Sequence, residues 1–295
     1  MATTTTLTIR ADGMETDISG SQLPGREPCL FLTQDYVEGW HGTPQIKLDL
    51  TELAMGDGAA APQDGAILYA ARTCTAHVIA TGRTRSDVLA QAQRVNRFAH
   101  RLCTVELADA NDDTMAIGCY VSMEWDSERH PTYMTGTLTI VCPDPRRYGT
   151  QTQTAFMSPA ASSDSGLVYS GSGVLALPLA YSGKTETGSG TATVANRGTA
   201  TAYPVITCCG SMGHISIRST TGAGTLSYNG WAGPNAPVVL DCLSRTASVN
   251  GVDVTRNLVQ RTWPSIPAGG SITLSCTAKT SGNAYIKVES HDTYI

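Results

Sequence analysis

Few residues of this chain have the types and spacing that do chemistry, and each set lacks a group that the chemistry needs. Ser182 to Thr185, SGKT, match the end of a phosphate-binding loop, but the earlier glycine is Pro178 and no helical pattern follows. The run DANDD, Asp109 to Asp113, opens like a calcium loop. Thr114 stands where the sharp turn needs glycine, and Tyr120 where an acid should close the shell, so an acidic hairpin tip is the better reading. Glu124 and Asp126 alternate on one strand face, as a glycosidase pair could, although exposed acidic strand faces are far commoner. The six histidines show no HExxH spacing, no CxxC accompanies them, and no GxSxG elbow occurs. The chain therefore reads as a non-enzyme without cofactor or metal.

Three sets suit binding or assembly instead. In SYNGWAGPN, Trp231 offers a ring that could stack on a sugar, with Tyr228, Asn229 and Asn235 beside it to meet hydroxyls; the plainer reading is an aromatic packed on a neighbouring surface. Asp109, Asp112, Asp113, Glu124, Asp126 and Glu128 sit in or beside one expected hairpin. The stretch CPDPRRYG sets Pro143, Asp144, Pro145, Arg146, Arg147 and Tyr148 where an alternating strand gives way to a polar, nearly uncharged run. Its prolines remove backbone donors and stop pairing.

The elements that must position these residues are mostly strands. The 295 residues carry 41% apolar and only 15% charged side chains with 29 glycines, a globular and strand-rich balance. Residues 1–149 hold 12 Lys plus Arg against 19 Asp plus Glu, a net of −7, whereas 150–295 hold 8 against 6, a net of +2. One helix is expected near 86–102, capped by Ser86, with Val88, Ala92, Val95, Ala99 and Leu102 on its apolar face. Strands around it predict a barrel or curled sheet. The second half predicts a β-sandwich of short strands, and Asn250-Gly251 marks a two-residue hairpin. The expected domains are 1–149 and 166–295, joined by a linker over 150–165.

The nine cysteines are odd in number and mostly lie among apolar strand residues, which predicts buried free thiols made in a reducing compartment. No apolar run approaches the roughly 20 residues of a membrane helix, and the N-terminus lacks a basic region followed by an apolar core. A soluble, unexported chain without membrane insertion is expected. The net charge of −5, without a basic stripe, disfavours nucleic-acid readout.

NRGTATAYPVITCCG, VVLDCLSRTASVNG and WPSIPAGGSITLSC form an ordered series in the second half. Together with CPDPRRYG at the junction, this series resembles the distal tail proteins of long-tailed bacteriophages. The resemblance implies a split-barrel-like first domain with one helix, then a galectin-like sandwich. It implies a homo-hexameric ring that joins the tail tube to baseplate or fibre proteins at the virion tail tip, after synthesis in the host cytoplasm. DNA would pass through the ring without specific binding, past a lumen for which the six acids are the candidates. A host-glycan-binding sandwich and an ordinary tail-tube subunit are the competing readings. Arg146 and Tyr148 are expected to lock the junction.

Overall fold

The computed structural model describes residues 5–20, 28–34, 36–47, 51–57, 59, 67–110, 112–161 and 190–295. The SGKT run lies outside them. The chain is mainly β and divides into two compact units, Met1–Thr150 with Tyr294–Ile295, and Gln151–Thr293.

The first unit contains β1 (Thr6–Ala11), β2 (Met14–Ser19), β3 (Cys29–Leu32), β4 (Ile46–Lys47), β5 (Leu68–Tyr69), β6 (Arg72–Thr81), helix α1 (Arg85–Asn96), β7 (Cys103–Asp109), β8 (Asp112–Trp125) and β9 (Tyr133–Cys142). It also contains the start of β10 (Arg147–Met157). Antiparallel pairing runs β2, β1, β7, β8, β9, β6, β3. The parallel contact Ser19↔Phe31 between β2 and β3 closes a seven-stranded barrel. Closure leaves few free sheet edges. Alternation fills it: Cys74, Ala76, Val78 and Ala80 of β6 point inward with Leu138 and Ile140 of β9, and Trp40 and Phe98 join the same core.

The helix differs from expectation at both ends. Its N-cap is Thr84, not Ser86: the Thr84 hydroxyl accepts from the Asp87 N–H (3.3 Å), while the Asp87 carboxylate accepts from the Thr84 N–H (2.9 Å). This reciprocal box satisfies two orphan donors. At the other end, tight bonds such as Phe98 N–H to Val95 O (3.1 Å) replace the helical ladder, and His100 takes φ 62°. Phe98 turns into the core, and Ala99 and Leu102 are left exposed.

The expected linker over 150–165 is also corrected. β9 stops at Cys142, Pro143 to Arg146 interrupt pairing, and β10 then runs eleven residues from Arg147. It pairs with β8 (Tyr148↔Met115, Gly149↔Thr114) and with β19. The run TQTQTAF looked like a linker because it is polar and uncharged, yet its β-branched threonines suit an extended strand. The division between units falls inside β10, so the second unit begins at Gln151, not at 166.

That unit contains the rest of β10, then β11 (Ala160–Ala161), β12 (Thr191–Ala195), β13 (Val205–Ser219), β14 (Thr225–Ala232), β15 (Val238–Asp241), β16 (Thr246–Val249), β17 (Val252–Asp253), β18 (Leu258–Thr262) and all but the last residue of β19 (Ser271–Tyr294). β13 and β19 pair antiparallel from Val205↔Glu289 to Ser219↔Leu274. β15 flanks the first part of β13 and β14 the second. Side chains from both parts enter one core, Ile206 with Leu240 and Val288, Ile217 with Leu226 and Leu274, as a sandwich requires. The end of NRGTATAYPVITCCG and the HISIRS run that follows form one strand of fifteen residues. Gly210 (φ 94°) and His214 (φ 50°) lie at bulges that bend it without ending it. The Asn250-Gly251 turn has φ 49° and 79°, the geometry its sequence predicts.

Candidate functional site

A buried polar cluster in the first unit begins at Arg72, an arginine on the inward face of β6. Its Nη1 donates to the carbonyls of Gly39 (2.8 Å), Trp40 (2.8 Å) and Gly42 (2.5 Å), and its Nε to Pro145 O (2.9 Å). A planar guanidinium fits this task because its donors are fixed in a fork. Burial pushes the Arg72 pKa down from its ordinary value, with Arg147 nearby adding to the effect. Arg147, also buried, donates to Thr114 Oγ1 (3.3 Å) and pairs with Asp112 (3.5 Å), and its guanidinium lies 5.8 Å from the centre of the Tyr294 ring. Trp40 Nε1 donates to the same Thr114 hydroxyl (3.0 Å).

CPDPRRYG meets this cluster through Pro145 and Arg147. The side chain that gathers carbonyls is Arg72, which sequence reasoning passed over. Arg146 and Tyr148 hold Asp144: the Arg146 N–H (3.2 Å) and Nε (2.8 Å) donate to one oxygen and the Tyr148 hydroxyl (2.6 Å) to the other. Pro143 and Pro145 bracket that carboxylate. The available signal was an arginine at an inward position of the alternating run RTCTAHVIAT.

The six acids lie along the β7–β8 hairpin and the loop after it, but at separate ends. Asp109 and Asp112 pair across the β7–β8 turn beside Asp113, while Glu124, Asp126 and Glu128 lie at the opposite end of β8 and in the loop after it. A strand of that length spans roughly 40 Å. Asp109 and Asp112 are also engaged, each 3.3 Å from one ring nitrogen of His41. Asp126 accepts from the Thr135 hydroxyl, and Glu128 lies 3.2 Å from His130. Asp113 and Glu124 are exposed.

The proposed sugar-facing set also separates. Tyr228 is only 4% exposed and belongs to the core, whereas Trp231, also on β14, is 54% exposed. Odd spacing on a strand puts the two on opposite faces. Asn229 is exposed on the Trp231 side, and Asn235 lies exposed in the turn beyond. The Trp231 ring packs over Gly213, where an added Cβ would come within 2.3 Å of it.

In the NRGTATAY motif, Asn196 is buried and ties three segments together. Its Nδ2 donates to Ala200 O (2.7 Å), Ile266 O (3.3 Å) and Pro267 O (3.3 Å), and its Oδ1 accepts from the N–H groups of Gly198 and Thr293 (both 3.0 Å). Gly198 is required by close approach, since a Cβ there would lie 1.9 Å from Thr293 O. These clusters constrain backbone, and none places a nucleophile beside a base. Among the described residues no group of His, Cys, Asp or Glu is arranged to hold a metal, and no helix is long and apolar enough to cross a membrane.

Nearly the whole chain superposes on the crystal structure of the phage SPP1 Dit (gp 19.1) protein, a paradigm of the hub adsorption apparatus in phages infecting Gram-positive hosts. The TM-score is 0.60 at 16% identity, over 98% of this chain and 99% of that one. The two proteins share a fold. A chain of the phage P2 baseplate in its activated conformation matches with a TM-score of 0.49 at 9% identity, over 97% of each chain. No protein-family model and no curated protein sequence matches.

Proposed function

We propose that this chain is a structural virion protein, a distal tail hub. In this reading the first unit closes a homo-hexameric ring on the end of the tail tube. The second unit presents surface to baseplate or fibre proteins. DNA passes through the lumen without specific binding. The observation that carries the proposal is a likeness to one hub protein that spans both units, and not the barrel alone. The ordered motifs of the second unit support it, as do exposed apolar side chains on the first, among them Ile46, Met55 and Leu68, which assembly would cover. Acids of the first unit would line the lumen, where repulsion keeps phosphate from binding the wall.

A glycan-binding role for the second unit rests on one observation, the exposed Trp231 with Asn229 on the same side. A tail-tube subunit is the other alternative, and immunogold labelling of virions separates it from the hub. The hub reading expects label confined to the tail tip. Label along the tail would overturn it in favour of the tube.

A further inference from the structure

Four cysteines form a row across neighbouring strands of the barrel wall. Cys103 on β7 stands opposite Cys119 on β8. Cys142 on β9 follows the Tyr120↔Val141 pair, at the next position of the β8–β9 ladder. Cys74 on β6 is two residues along from Arg72, the β6 partner of Cys142. All four are buried and all are free thiols. The Cys119 and Cys142 sulfurs lie 3.1 Å apart, and the Cys74 thiol hydrogen-bonds Cys142 in turn. Adjacent strands keep paired Cα atoms about 4.5–5.5 Å apart, inside the span a disulfide bridges.

We infer that Cys119 and Cys142 are an oxidisable dithiol that closes to a cross-strand disulfide when the protein meets a peroxide-class oxidant outside the reducing cell. The setting outside the cell rests on the virion reading; the pairing of the two sulfurs does not. One sulfur, as thiolate, attacks a peroxide oxygen: an S–O bond forms, the O–O bond breaks, and the departing hydroxide takes up a proton as water. The second sulfur, giving up its proton, displaces the sulfenic oxygen, so that S–S forms, S–O breaks and a second water leaves. Two electrons pass from the thiols to the peroxide, leaving one disulfide and two waters.

The surroundings make the reaction slow. The hydrogen bond with Cys119 and burial push the Cys142 thiol up to about 12, against the opposing effects of Cys74 and Arg72. The bond to Cys142 and burial raise Cys74 too. Thiolate is therefore scarce at neutral pH, and reaction needs local opening of the β8–β9 pair. The dithiol can persist through folding and assembly, and its later closure staples β8 to β9.

The test treats the purified full-length chain with hydrogen peroxide, unfolds it, alkylates free thiols and maps peptides by mass spectrometry. The expected result is a fall from nine free thiols to seven, with one linked pair containing Cys119 and Cys142 that a reductant separates. Recovery of both cysteines alkylated, their conversion to sulfinic acids, or a dominant link between any other pair would overturn the inference. Because the map uses the wild-type chain, no variant has to fold. A monomeric protein that still forms this link would remove the hub reading and leave the dithiol standing.

Discussion

Arg72 and Asn196 have one role in different units: a buried side chain collects backbone groups from segments distant in sequence. Leaving buried or partly buried carbonyls without donors costs about 1–3 kcal/mol each, nearer the lower figure where water reaches them. Arg72→Met and Asn196→Ala should therefore each destabilise one unit by roughly 4 kcal/mol, which lowers that unit's melting temperature by about 10 °C. Differential scanning calorimetry is expected to show R72M moving only the transition of the first unit and N196A only that of the second. Equal shifts of both transitions by either variant would contradict the division of labour. The sequence made Asn196 and Gly198 visible only as part of a motif. Their partners Pro267 and Thr293 come from far along the chain, so pattern alone could not supply the reason. Tyr228 failed as a sugar contact for a simpler cause, since three residues along a strand change the face.

At the scale of elements, β8 decides how the acidic residues can act. Its two ends carry separate groups, and Asp109 and Asp112 at one end hold His41 and Arg147. Asp113 and Glu124 are exposed, and a lumen lined by the outer side of β8 would present them to DNA. Virions carrying Asp113→Lys with Glu124→Lys should assemble normally but eject DNA several-fold more slowly, with the defect relieved at higher ionic strength. Unchanged ejection kinetics would remove the acidic wall from the account. The barrel strands, the lone predicted helix and the Asn-Gly hairpin were legible because each follows a local period or turn rule. The helix limits were not, because a capping box at Thr84 and Asp87 outcompetes Ser86, and Phe98 rather than Leu102 fills the core. β10 was missed because low charge and polarity suit an edge strand as well as a linker.

For the whole molecule, composition carried the class and the order of weak motifs carried the resemblance, while the superposition links both units to one hub fold at 16% identity. Where the second unit begins was hidden, since the division falls inside a continuous strand. A barrel that closes on itself still has exposed apolar side chains to cover, and a closed ring of copies covers the same patches on every subunit without open-ended growth. The measurement that bears most directly on this is the native mass of the purified full-length protein, with a negative-stain view down the symmetry axis. The hub reading predicts six copies of the 31.0 kDa chain in a ring with an open centre. A monomer that binds host-wall glycan tightly, or open-ended tubes of the same chain, would contradict it.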